Sequence, residues 1–121
     1  MQANGFFTLI NLAEVPAEWR TRPDLIDQFR ESPSGVLLIA VLEEREGIFL
    51  FRHWPHAVYD TLHYCWADAL GQAQDEFGPI GTWYAVPADV PDPYGYTLNG
   101  AAGKVPLVSI ADPLALLGKG N

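Results

Sequence analysis

The chain reads as an α+β protein: one domain with a mainly antiparallel sheet of five or six strands and two or three short helices. Three observations predict this. Apolar segments of strand length recur along the chain, two of them separated from their neighbours only by turn residues, "EREG" and "HWPH". One segment, "WADALGQAQDEF", carries its apolar residues at helical spacing instead. The 121 residues, 49% hydrophobic and 18% charged, suit one ordinary core, and no repeat or second apolar cluster divides residues 1–121.

Residues 6–12, rich in aromatic and branched side chains, form the first predicted strand. Pro16 then marks a turn or the first position of a short helical turn containing Trp19. Thr21, Pro23 and Asp24 open a short amphipathic helix with Leu25, Ile26 and Phe29 as its apolar stripe, and "ESPSG" stops it. Residues 36–43 and 48–54 are apolar on both alternating sets, so they must be covered on both faces and are expected at the centre of the sheet. Gly47 suits the positive φ of the short loop between them. Pro55 ends the second of these strands, and residues 57–64 return as the third strand of a meander.

The helix over 66–77 places Trp66, Ala69, Leu70, Ala73 and Phe77 on one face, with Asp68 in the first turn where it suits the helix dipole. Gly78 and Pro79 are expected to end it. Gly71 costs this helix about 1 kcal/mol relative to alanine unless another element approaches closely there. Asp75 and Glu76 are read as lying on its exposed side. Residues 82–86 give a further strand. Residues 87–104, punctuated by Pro87, Pro91, Pro93, Gly95, Gly100 and Gly103, read as an irregular excursion. A last strand is expected over 105–110. Asp112 then caps a short helix with Pro113 at its first position and Leu114, Leu116 and Leu117 turned inward.

Charge and composition exclude several functions. Seven Lys and Arg against fifteen Asp and Glu give a net charge of -8, which repels nucleic-acid phosphates and anionic lipid alike. The longest apolar run, over 35–42, is far short of the ~20 residues that span a bilayer. One cysteine cannot form an internal disulfide, and the N-terminal stretch lacks the features of a secretory signal, so a cytoplasmic location is expected. Four Trp, five Tyr and six Phe on a sparsely charged chain predict apolar surface for a partner or for self-association.

The chemistry-bearing residues crowd into one region. His53, His56, His63 and Cys65, with Asp60, are potential zinc ligands, but their spacing matches no recurring zinc pattern, and Asp60 has the wrong parity to share a strand face with His63 and Cys65. Cys65 at a strand-to-helix junction, with His63 as base, is the alternative of a thiol nucleophile. Against it, residues two apart on a strand are separated by nearly 7 Å, and no third group is evident to orient the histidine. Glu43, Glu44 and Glu46 crowd a turn, as a solvated tip or as part of a negative face for a basic protein partner. In "GYTLNGAAGK", Gly95 and Gly100 have phosphate-loop spacing, but Ala101 stands where the lysine belongs. Tyr94 and Tyr96 either anchor a recognition loop or fold back over the sheet.

The stretch from Ile48 to Gly78 resembles a group of small bacterial proteins of unassigned function. The resemblance lies in a strand, a short turn, an Asp-Thr-x-His strand end (Asp60, Thr61, Leu62, His63), then Asp68 and Ala69, and a helix closing in Glu76, Phe77 and Gly78. Leu62 stands where the pattern has an aromatic residue. The resemblance covers about a quarter of the chain and implies an α+β fold, with Asp60 and His63 as its first polar positions to examine.

The expected function is therefore that of a small acidic protein of a bacterial cytoplasm, a non-catalytic binding module of the immunity or accessory kind. No cofactor, nucleic acid or membrane is expected; a basic protein partner is, or a homodimer formed over a sheet face that short helices leave bare. The candidate binding residues are Asp60, His63, Tyr94 and Tyr96. The alternative is a metal-binding protein, through His53, His56, His63 and Cys65, or a small hydrolase using His63, Cys65 and Asp60.

Overall fold

The computed structural model describes residues 3–77 and 81–114, and the backbone of 115 and 116. Six strands form one antiparallel sheet: β1 (Ala3–Asn11), β2 (Val36–Glu44), β3 (Gly47–His53), β4 (Val58–His63), β5 (Trp83–Pro87) and β6 (Ser109–Ile110). Their order is β4-β3-β2-β1-β5-β6. Among the described residues five α-helices accompany them, α1 (Ala17–Arg20), α2 (Ile26–Glu31), α3 (Trp66–Phe77), α4 (Pro93–Ala101) and α5 (Pro113–Leu116), with a 3-10 turn at Leu12–Glu14.

The α+β architecture and the β2-β3-β4 meander follow the hydrophobic pattern, but the sheet centre does not. β2 is central, yet its second central neighbour is β1, and β3 lies one strand from the edge. The Glu44–Gly47 pair closes the β2-β3 loop with Gly47 at a φ of 146°, which a side chain would resist. The last strand is shorter than the pattern suggested, because Pro106 has no N–H for a ladder; the Val108 carbonyl still accepts from the Ala85 amide at 2.9 Å.

Alternate side chains divide the sheet into two buried faces. On the first, Phe6, Leu37, Ile39, Val41, Ile48 and Leu50 meet α2 and α3. The predicted stripe of α3 is the buried one, and Trp66 sets its ring edge-on to Phe6 at 5.5 Å. Phe29 of α2 meets Trp54 in the same way at 5.4 Å. The termination of α3 at Gly78 and Pro79 lies outside the described residues.

The second face carries Phe7, Leu38, Ala40, Leu42, Phe51 and Val86, and α4 covers it. This corrects the reading of residues 87–104 as irregular throughout. Asp92 caps α4 by accepting the Gly95 amide at 3.1 Å, and Pro93 occupies its first turn, where a missing N–H costs nothing. Two glycines, Thr97 and Asn99 are poor helix formers, so tertiary contact holds this helix. A side-chain carbon on Gly100 would lie 2.9 Å from the Phe7 ring, which explains why the crossing needs glycine. At the C-terminal end, Asp112 does receive the Leu114 amide, but Leu114 is exposed rather than inward; Leu117 is outside the described residues.

Candidate functional site

The site is built around a charge that the hydrophobic strand β3 cannot leave unpaired. Arg52 alternates with Ile48 and Leu50 on the first face and is buried at 8% exposure, so its guanidinium needs an anion. Glu76 supplies it from the last turn of α3, accepting from Arg52 Nε at 2.7 Å and Nη2 at 2.6 Å in a forked pair. Gln72, one turn earlier, donates to the same carboxylate at 2.8 Å. Glu76 thus faces the sheet, correcting its assignment to the exposed side of the helix; Asp75 is exposed as expected.

From Arg52 the hydrogen bonds continue into β4. Arg52 Nη1 donates to Thr61 Oγ1 at 3.0 Å, Thr61 Oγ1 lies 2.6 Å from His63 Nε2, and His63 Nδ1 lies 2.7 Å from Asp68 Oδ2. The chemistry of the end groups assigns the protons. A guanidinium only donates and an ionised carboxylate only accepts, so neutral His63 carries its proton on Nδ1 toward Asp68. Its Nε2 accepts from the Thr61 hydroxyl, whose lone pair accepts from Arg52. The third group that orients His63 is therefore Asp68, on the first turn of α3. The whole chain runs Gln72, Glu76, Arg52, Thr61, His63, Asp68, tying β3 and β4 to α3. Among the described residues no buried side-chain nitrogen or oxygen lacks a partner.

Beside this chain lies an open cleft of about 410 Å³, with Arg52, Trp54, Tyr59, Thr61, Gln72 and Glu76 among its walls. A second hollow, of about 400 Å³, is lined by Glu46, Gly47, Leu62, His63 and Tyr64 at the end of β4.

The other candidates disperse. Asp60 pairs with Phe51 and, as its parity required, lies on the opposite face from Thr61 and His63. His53 reaches the second face, its Nδ1 3.1 Å from the Tyr94 hydroxyl. His56, across the hairpin, lies 2.5 Å from Ser32 Oγ and 3.0 Å from Gln28 Oε1 near α2. Cys65 is exposed beyond β4, and the His63 nitrogens are occupied by Thr61 and Asp68, so the Cys65–His63 pair does not form. Among the described residues no three His, Cys, Asp or Glu side chains gather where a metal ion would sit. Tyr94 and Tyr96 lie on α4 rather than on a projecting loop: Tyr94 packs against Phe51 at 4.8 Å, and Tyr96 meets Phe7 at 6.4 Å and donates to the Pro106 carbonyl. Burial, and then the Asp60 carboxylate, raise the pKa of Tyr94 above its usual value.

Strand β4 is one edge of the sheet. The opposite edge, β6, is only two residues long, whereas β4 runs for six. Val58 (44% exposed), Tyr59 (43%) and Leu62 (56%) lie on it, and the fully exposed Tyr64 follows. Its hydrogen-bond phase follows from the hairpin: the Trp54 amide donates to the Ala57 carbonyl, and pairing then alternates along the ladder. Tyr59, Thr61 and His63 therefore bond to β3, and the backbone groups of Val58, Asp60 and Leu62 point outward, with no backbone partner among the described residues. No lysine or proline blunts this edge.

Compared with known proteins, the chain matches no family model, no curated protein and no solved structure. The sequence by itself singles out His63; it offers Asp68 as a helix-dipole residue and Asp68, Thr61 and Glu76 as positions of the resemblance, gives none of these three a role in a site, and does not point to Arg52 or Gln72. The signal available was an arginine inside an otherwise apolar strand, followed by a helix with Gln and Glu one turn apart beside its buried stripe. Among the described residues no helix is long and apolar enough to cross a membrane.

Proposed function

We propose that this protein is a non-catalytic binding module of the immunity or accessory kind, acting in a bacterial cytoplasm, that takes an extended segment of a protein partner along the free edge of β4. The observation that carries the reading is the edge itself: outward backbone groups at Val58, Asp60 and Leu62 beside exposed Val, Tyr and Leu side chains. The Arg52 chain supports it by pinning β4 to α3 through Thr61 and His63, so the edge is pre-organised and loses little entropy on binding. The net charge of -8 favours a basic partner and speeds encounter with one.

The test is differential capture from a bacterial lysate with wild type and Val58→Pro. Val58 is the first residue of β4 and its N–H points outward, so proline removes an edge donor without costing a ladder bond. The expected result is a partner retained by the wild type, lost by a variant that melts normally, and shown by calorimetry to bind directly. Identical sets of captured proteins for both forms count against the edge.

A specific observation favours a second reading, a small hydrolase: the Asp68-His63-Thr61 chain has the connectivity of an oriented base and a hydroxyl nucleophile. It replaces the Cys65 and Asp60 of the sequence-based alternative. Hydrolysis of an activated ester such as p-nitrophenyl acetate that disappears in Thr61→Val and His63→Gln, but persists in Cys65→Ser, would put this reading ahead of the first.

A further inference from the structure

We infer that the partner strand on β4 carries a lysine or arginine that enters the hollow lined by Glu46, Gly47, Leu62, His63 and Tyr64. The inference rests on the edge-binding reading above and names the chemistry of its ligand. Strand addition supplies affinity through main-chain bonds, while pockets beside the edge choose side chains. The hollow adjoins the end of β4 and holds about 400 Å³, enough for one long side chain. Leu62 and Tyr64 provide apolar wall for a methylene stem, and Glu46, on the two-residue β2-β3 turn, provides the anion for its head. Both ring nitrogens of His63 are already engaged, by Thr61 and Asp68.

Charge decides against a second copy of this chain as the occupant. The stretch 58–64 has no lysine or arginine, so a partner β4 would bring nothing for Glu46. Antiparallel pairing centred on Asp60 would also set two carboxylates directly opposite each other. A partner of opposite charge meets neither obstacle, and the -8 charge draws it in.

The experiment is selection of a random-peptide display library against the folded chain, followed by amide chemical-shift mapping with the enriched peptides. Expected are sequences with Lys or Arg at one fixed position among β-branched residues, shifting the resonances of Val58, Asp60, Leu62 and Glu46. Glu46→Gln, a change in an exposed turn that leaves the core alone, should weaken them roughly threefold to fivefold, as for a partly exposed ion pair. Enriched peptides that shift the β4 amides but show no basic preference, or bind Glu46→Gln equally well, overturn this inference and leave the edge reading standing. Peptides that map elsewhere, an empty selection, or a free chain that light scattering finds dimeric through β4 overturn both.

Discussion

Glu76 grips Arg52 with both carboxylate oxygens, at 2.7 Å and 2.6 Å, joining the last turn of α3 to strand β3. The pair is mostly buried, with side-chain exposures of 10% for Arg52 and 20% for Glu76, and Arg52 Nη1 donates to Thr61 and the Leu50 carbonyl. Such a pair contributes little beyond an apolar substitute of the same shape, but removing one member strands the other.

Glu76→Gln should therefore destabilise the fold by about 3 kcal/mol, because it leaves the guanidinium buried without its counter-charge. Urea unfolding followed by tryptophan fluorescence measures this. The double change Arg52→Met with Glu76→Leu should recover most of the loss. A single variant as stable as wild type would show that the pair is not formed in solution.

Thr61→Val removes the hydroxyl that accepts from Arg52 and donates to His63. Two hydrogen bonds at a partly open site predict a cost of about 1 to 2 kcal/mol. Cys65→Ser, at an exposed position with no role in the chain, should stay within ~0.5 kcal/mol of wild type. The contrast between the two, read from the same denaturation curves, separates the hydrogen-bonded chain from the neighbouring thiol.

Two glycines on helices should respond to alanine with opposite sign. Nothing lies within 4 Å of a side-chain carbon placed on Gly71 of α3, so Gly71→Ala should stabilise the protein by up to about 1 kcal/mol. Gly100→Ala would press a methyl group on the Phe7 ring and should destabilise by roughly 1 to 3 kcal/mol. Thermal melts of both variants give the signs directly.

Tyr94 predicts an alkaline effect. Its folded pKa is raised by burial first and by Asp60 second, so the folded state holds the phenolic proton more tightly than the unfolded chain. Stability from this source is complete below the unfolded value of about 10, and is lost as pH rises through the higher folded value. Tyr94→Phe should flatten the decline in stability above about pH 10, seen as a smaller drop in melting temperature than in wild type. An unchanged decline would place the Tyr94 hydroxyl in water, away from His53.

Much of this protein is determined within short windows of sequence. Alternation of apolar residues located β2, β3 and β4, the spacing of Trp66, Ala69, Leu70, Ala73 and Phe77 located α3, and the parity of Asp60 against His63 already put them on opposite faces. These signals are local, because each depends only on which side chains one strand or helix turns to the same side. The tertiary structure decided the rest. Whether β1 or β3 stands beside β2 at the centre depends on pairing across long separations, and α4 is helical because Gly100 can sit on Phe7 despite a sequence that disfavours helix. The acid that meets Arg52, and the carboxylate that orients His63, were settled by the register of β3 against β4 and the docking of α3 over both. Such meetings between residues on different elements leave no periodicity in the chain, so only the packed fold could bring them together.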